Sequence, residues 1–115
     1  LPVVESAPDG GVDHYRPRYS AGAPRCPVPA RLDPAAAATA TDIAIRAHLA
    51  LGLRDLSRTD LIVDAAGVPW FLEVNVAPGM TETSLLPIAA EAAGIDLGVL
   101  CRDLLQAAAS RASHG

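Results

Sequence analysis

The sequence predicts an α+β domain in which a small, mainly antiparallel sheet carries helices on one face. Length allows one modest domain and hardly two, because the chain has 115 residues. Half of the residues are hydrophobic but only 3% are aromatic, so the apolar bulk is Ala, Leu, Val and Ile. Both hairpin signals and helix-capping signals occur along the chain, and no internal repeat is visible.

The first part of the chain is predicted to be strand and loop. Residues 1–5 are typical of a short strand, 9–11 of a turn, and 12–19 of a polar extended segment. Residues 20–31 are rich in Pro and Gly and predict a long loop, and such loops are often functional.

Three helices are predicted from capping signals. Asp33, followed by a proline, starts a helix that we expect to end at Gly52. A second helix should begin near Ser84 and stop before Gly94, and a third should begin with Asp96 as its N-cap.

Two strands and a tight turn are predicted between the first and second helices. Residues 55–64 and 69–76 have strand character, and Gly67 marks the turn that joins them. If the turn centres on residues 66 and 67, Asp60 lies across from Glu73, because residues equidistant from the turn pair with one another.

Alternation along these strands places a polar cluster on one face of the hairpin. Arg58 and Asp60 share a face of the first strand, and Glu73 and Asn75 share a face of the second. The same alternation assigns Phe71 to the polar face. An ordinary solvated face of an amphipathic hairpin would give this pattern too.

The chemistry of the cluster favours a magnesium site. Asp60, Glu73 and Asn75 supply hard oxygen donors, which Mg²⁺ prefers, usually together with phosphate oxygens. Facing carboxylates repel one another unless a positive charge neutralises them. Arg58 could meet a phosphoryl or oxyanion charge on the same face.

Composition argues against several other classes. A net charge of -4 offers no basic footprint for nucleic acid. No apolar run reaches transmembrane length, and no signal peptide is recognisable, so we expect no membrane partner. Cys26 and Cys101 lack metal-ligand spacing and read as reduced thiols of a cytoplasmic protein. The three histidines are assigned structural or solvent roles because none is paired with a candidate nucleophile: His14, His48 and His114.

Residues 58–87, RTDLIVDAAGVPWFLEVNVAPGMTETSLLP, closely resemble the C-terminal signature of the D-alanine–D-alanine ligases of the ATP-grasp superfamily. The pattern R-x-D, then E-x-N-x-x-P-G-M-T, then S-L-x-P is long and position-specific. Residues 13–19, DHYRPRY, resemble the active-site loop of that family. The resemblance covers nearly the whole chain.

The resemblance implies that residues 1–115 form the C-terminal half of an ATP-grasp core, without the N-terminal and central domains of the family. Its parts would be an active-site loop at about 12–31, a metal hairpin at 55–76, a second-substrate loop at 77–85 and C-terminal helices at 84–112.

The resemblance also implies roles for single residues of the hairpin. Asp60, Glu73 and Asn75 match the metal ligands, with Glu73 bridging two Mg²⁺ ions, for which Mn²⁺ could substitute. Arg58 matches the arginine that stabilises the acyl-phosphate and tetrahedral intermediates. Gly79 matches the glycine whose N–H helps to bind the developing oxyanion.

Substrate and phosphate contacts are implied in the same way. Ser84 and Leu85 match the residues that hold the carboxylate of the second D-alanine, by a hydroxyl and a backbone N–H. Tyr19 matches a loop tyrosine that closes over the site. Arg18 falls where the family usually has a lysine on the terminal phosphate, and arginine keeps the charge but not the geometry.

The expected function is therefore ATP-dependent ligation of two D-alanines through an acyl phosphate, for peptidoglycan precursor synthesis. ATP and D-alanine would be its small-molecule partners, and the full-length enzyme would be a homodimer. Because two domains are missing, we expect the chain alone to be inactive. Alternatives are another ATP-grasp carboxylate–amine ligase, one using D-lactate or D-serine as second substrate, and a non-catalytic remnant or interaction module.

Overall fold

The computed structural model describes residues 1–6 and 28–112. Within them the elements follow in the order α1 (Pro34–Ala50), β1 (Arg58–Val63), β2 (Pro69–Asn75), α2 (Leu85–Ala92) and α3 (Leu97–Ala112). β1 and β2 pair as an antiparallel two-stranded sheet. The predicted α+β class is confirmed, and the architecture is compatible with the C-terminal domain of an ATP-grasp protein.

The helices occupy the predicted segments. α1 begins after Asp33, which makes no side-chain capping bond, and the chain leaves it through Gly52 at φ 62°, a left-handed conformation that glycine adopts readily. Asp96 caps α3, because its Oδ1 accepts a hydrogen bond of 3.0 Å from the backbone N–H of Val99. α1 packs against both strands, and α2 packs against α3.

The strand predicted at residues 1–5 is wrong, since residues 1–6 have no regular secondary structure. They run beside residues 28–31, where the Ala30 N–H donates to the Val3 carbonyl at 2.8 Å. Pro29 has no N–H to donate, so a regular ladder of hydrogen bonds cannot develop there. The predicted extended segment at 12–19 lies outside the described residues.

The predicted Asp60–Glu73 pairing is confirmed, but the strand pairing nearer the turn differs from the prediction. Its loop closes with a bond of 3.0 Å from the Asp64 N–H to the Val68 carbonyl, and Gly67 adopts φ 79° within it. The turn is therefore centred one half-residue earlier than predicted. A β-bulge after Asp60, with Leu72 as the extra residue of β2, restores the predicted pairing beyond it.

The bulge reverses the predicted faces of the residues nearest the turn. Phe71 pairs with Leu61 and lines a groove of about 430 Å³ against α1, together with Ile43. It was predicted on the polar face, and that prediction is wrong because strict alternation assumes an unbroken ladder. Trp70 pairs with Ile62 instead and lies on the Asp60 side.

Few apolar side chains of the described residues are buried, and most of those are on α2. The buried set comprises Ala36, Ala40, Leu86, Ala89 and Ala90. Large apolar side chains on the hairpin stay exposed, namely Ile62, Trp70, Phe71, Leu72 and Val76. Among the described helices, none is both long and apolar enough to cross a bilayer.

Candidate functional site

The hairpin brings the predicted polar residues together on two rungs of its ladder. Asp60 pairs with Glu73, and Arg58 pairs with Asn75. The rung between them points the other way, because successive strand residues alternate between faces. The pairs therefore share one face at the open end of the hairpin, away from its turn.

Arg58 and Asp60 form a bidentate ion pair on this face. The Nε of Arg58 lies 2.8 Å from Oδ1 of Asp60, and an Nη lies 3.1 Å from Oδ2. Their side chains are 20% and 29% exposed, so the pair is shielded in part from water. Arg58 thus neutralises the charge of Asp60, the carboxylate that faces Glu73. From the sequence alone, a bound metal ion was the expected source of this neutralising charge.

Asn75 ends β2 and directs the chain into the next loop. Its Oδ1 accepts a hydrogen bond of 2.9 Å from the backbone N–H of Ala77, an Asx turn that closes directly behind the strand. Asn75 is half-buried, whereas Glu73 on the neighbouring rung is exposed. The carboxamide is therefore held in place beside a carboxylate that is open to ligands.

The loop from 77 to 84 is folded tightly on itself. A Cβ built on Gly79 would lie 2.7 Å from Oγ of Ser84 and 3.2 Å from its Cβ, so the position has no room for a side chain. The Ser84 hydroxyl also lies 2.7 Å from Oγ1 of Thr81 and accepts a bond of 3.2 Å from the Thr81 N–H. Thr81 is a residue that the sequence reasoning missed, although it belongs to the P-G-M-T motif.

Ser84 occupies the N-cap position of α2 but makes no side-chain capping bond. Its hydroxyl is turned towards Gly79 and Thr81 instead. Leu85 is the first residue of α2, so its backbone N–H lies at the positive end of the helix dipole. The Ser84 hydroxyl is thus adjacent to Gly79, and the Leu85 N–H follows it at the start of α2.

Arg18 and Tyr19, predicted to act from the active-site loop, lie outside the described residues. The described residues that flank this segment meet in an ion pair. Glu5 accepts from the Arg31 guanidinium at 2.7 and 3.0 Å and from its backbone N–H at 3.0 Å. Hydrogen bonding from the Arg31 side chain lowers the pKa of Glu5 from 4.5 to about 2.

Two further contacts hold the chain just before β1. His48 Nδ1 and Ser57 Oγ are 2.8 Å apart and partly buried, a contact that is consistent with the structural role expected for His48. Arg111 donates two bonds, of 2.9 and 2.6 Å, to the carboxylate of Asp55. Hydrogen bonding from Arg111 lowers the pKa of Asp55. Separations of 9 and 56 residues left no local signal for either contact.

The donor set suits magnesium better than a softer metal. Within residues 1–6 and 28–112, no group of three or more His, Cys, Asp and Glu side chains is placed to hold a metal. The set on the hairpin instead comprises two carboxylates and a carboxamide. Mg²⁺ is commonly held by one or two carboxylates together with phosphate oxygens. The Asp60 and Asn75 oxygens retain lone pairs beyond their present hydrogen bonds, and Glu73 is exposed, so these residue types fit such an ion.

Comparison with known proteins identifies the family that this chain resembles. The family model for "D-ala D-ala ligase C-terminus" matches residues 1–106. The chain is 43% identical over 108 residues to the D-alanine–D-alanine ligase of Methylacidiphilum infernorum, covering 92% of this chain and 35% of the relative. It is 40% identical over 111 residues to that of Bordetella petrii, covering 96% and 34%. It is 44% identical over 112 residues to that of Acidiphilium cryptum, covering 96% and 37%.

Each match covers most of this chain but only part of the relative. The chain spans about a third of the length of these curated relatives, as the 34–37% shares show. The match of the family model nevertheless runs through the hairpin, the loop from 77 to 84 and most of α3. The chain therefore belongs to the D-alanine–D-alanine ligase family, whose C-terminal domain it matches.

Proposed function

We propose that this chain forms the metal and second-substrate half of an active site that joins two D-alanines at the expense of ATP. The observation that carries the proposal is the position of the Arg58–Asn75 and Asp60–Glu73 rungs on one face, with the loop of Gly79 and Ser84 following β2 directly.

In this reaction ATP phosphorylates the carboxylate of the first D-alanine, and the amine of the second attacks the acyl phosphate. A peptide bond forms, and ADP and phosphate leave. Asp60, Glu73 and Asn75 would hold Mg²⁺, which when bound neutralises and orients the phosphate groups. The chain's own work is positioning and charge stabilisation.

Arg58 is suited to act on the transferred phosphoryl group. Asp60 holds the guanidinium of Arg58 through Nε and one Nη. The remaining N–H groups of the guanidinium are available to donate to a phosphate oxygen. Charge-assisted bonds from arginine to phosphate are stronger than neutral ones, and a partly shielded site screens them less than water does. Arg58 is therefore placed to stabilise charge that develops during transfer.

Gly79, Ser84 and Leu85 would bind the organic part of the reaction. The missing side chain at Gly79 lets the loop backbone approach a substrate, and the Gly79 N–H would donate to the developing oxyanion. The Ser84 hydroxyl and the Leu85 N–H, at the start of α2, would hold the carboxylate of the second D-alanine, since helix N-termini attract anions.

The test joins this chain to the part of a relative that the chain does not match. We would fuse residues 1–115 to the upstream two thirds of the Methylacidiphilum infernorum ligase and measure phosphate release with ATP and D-alanine. The fusion should release phosphate only when D-alanine is present, and the isolated chain should release none. Asp60→Asn, Glu73→Gln and Arg58→Lys should each reduce release, whereas Asp42→Asn, an exposed change on α1, should not.

Two results would contradict this proposal. A folded fusion that releases no phosphate, beside an active parent enzyme, would remove the ligase assignment. Phosphate release by the isolated chain would remove the claim that it is inactive alone. Adding D-serine or D-lactate as the second substrate in the same assay distinguishes the alternative ligases. We also propose that the full-length enzyme is cytoplasmic and homodimeric.

A further inference from the structure

A short segment without regular structure directly precedes Arg58, the first residue of β1. This entry segment, residues 53–57, follows the turn at the end of α1 and leads into β1. Its backbone bonds are few: the Leu53 N–H donates to His48 at 3.0 Å, and the Leu56 N–H donates to Arg54 at 2.7 Å. Asp55 within it adopts φ 61°, a left-handed conformation that Asp tolerates better than most residues. Side-chain contacts therefore have a large share in placing the segment.

The first such contact ties the segment to α1. His48, in the last turn of α1, lies 2.8 Å from the hydroxyl of Ser57 through its Nδ1. Ser57 is the residue directly before Arg58. Since successive residues of an extended chain point to opposite sides, this bond holds the chain from the side away from the Arg58 side chain.

The second contact ties the segment to the end of α3. Arg111 holds both carboxylate oxygens of Asp55, at 2.9 and 2.6 Å, which is the fork geometry that fixes direction as well as distance. The partners are 39% and 28% exposed. α1, which precedes the hairpin, and α3, which follows it, thus both hold the five residues that precede β1.

We propose that His48 and Arg111 are positioning residues, which set where Arg58 lies by holding Ser57 and Asp55. Among the described residues, the hydrogen bonds of the His48 and Arg111 side chains go to Ser57 and Asp55 and not to Arg58, Asp60, Glu73 or Asn75. The inference rests on the proposed function, because the position of Arg58 matters only if Arg58 meets a reacting group. In that setting, a misplacement of about 1 Å costs on the order of 100-fold in rate.

The test follows Arg58 directly by ¹⁵N NMR in the 115-residue chain. The guanidinium Nε–H of Arg58, bonded to Asp60, should give a signal protected from solvent exchange, assigned by its loss in Arg58→Lys. Two variants at one position isolate the role of His48. Asn places its polar group near the position of Nδ1, whereas Gln places it near Nε2.

The positioning role and a purely structural role predict opposite orders for these variants. Positioning predicts that His48→Asn keeps the Arg58 signal and that His48→Gln loses its protection. A stabilising role for the helix alone predicts the reverse, because Gln is the better helix former. Arg111→Gln should also reduce protection, while Arg46→Gln, which breaks an exposed i,i+4 pair on α1, should not.

An unchanged Arg58 signal in folded His48→Gln and Arg111→Gln would overturn the inference. That outcome is separable from failure of the proposed function, for which phosphate release by the fusion protein described above is measured. No release by the folded fusion, with the Arg58 signal responding to His48 and Arg111, would contradict the function and leave the positioning of Arg58 intact.

Discussion

The short distance between Gly79 and the Ser84 side chain predicts that Gly79→Ala destabilises the loop from 77 to 84. The new Cβ would lie 2.7 Å from Ser84 Oγ, a distance that real Cβ atoms do not tolerate, so the hydroxyl must move. The hydroxyl now holds Thr81 through two contacts, of 2.7 and 3.2 Å. Gly79 is not in the left-handed region, so steric contact and not backbone strain is the cause.

The size of the effect follows from the contacts that would be lost. Each hydrogen bond contributes about 0.5–1.5 kcal/mol net, so losing both should lower the free energy of unfolding by roughly 1–3 kcal/mol. For a domain near this size, each kcal/mol lowers the melting temperature by about 4–8 °C. Urea denaturation followed by circular dichroism at 222 nm measures the first quantity, and a thermal scan measures the second.

A double-mutant cycle with Ser84→Ala tests the cause. Ser84→Ala removes the hydroxyl that the new Cβ would strike, so Gly79→Ala should cost less in that background than in the wild type, by about 1 kcal/mol or more. The cycle also cancels the lower entropy of the unfolded chain that any Gly→Ala change brings, because that effect is present in both backgrounds. Equal costs of Gly79→Ala in the two backgrounds would refute the reasoning.

Three further predictions concern residues outside this loop. Because the pKa of Glu5 is about 2 when folded and 4.5 ordinarily, its ion pair stabilises the chain above pH 4.5, and this contribution should fall away as the pH drops towards 2. Urea titrations should show a flatter pH dependence over that range in Glu5→Gln, and an unaltered profile would argue against the pair. Leu86→Ala should cost about 2–5 kcal/mol because Leu86 is buried, whereas Leu105→Ala, at a side chain that is 72% exposed, should stay within about 0.5 kcal/mol; equal losses in urea would contradict the assigned burial. Asp64→Ala should free the indole of Trp70, whose Nε1 donates to Asp64 at 2.9 Å, and so alter Trp70 fluorescence before any unfolding; an identical emission spectrum would exclude that bond.

Short-range patterns predicted most of the secondary structure. The positions of α1 and α3 followed from Asp33 with its proline and from Asp96, because capping residues lie within a turn of the helix they start. The glycine at Gly67 marked the hairpin turn, since a left-handed residue is needed there. The strand expected at residues 1–5 failed because a strand needs a partner ladder, which a local pattern does not reveal.

The candidate site was predictable in its membership but less so in its geometry. Motif spacing picked out Arg58, Asp60, Glu73 and Asn75, and strand alternation placed them on one face. Their alignment depends on two irregularities that compensate for one another, an earlier turn and the bulge at Leu72, and no local pattern indicated either. Register predicted from the turn alone was right for Asp60 and Glu73 only because the two irregularities cancel.

What the sequence determined by itself is the set of helices, the turn and the polar residues of the hairpin, since these depend on local backbone preference and on spacing along the chain. Only the tertiary structure decided that Phe71 packs towards α1 and that His48 and Arg111 hold the segment leading into β1. The physical reason is range: these contacts join side chains whose meeting depends on how packed elements lie in space, and residues as far apart as 56 positions carry no mutual signal in their local sequence.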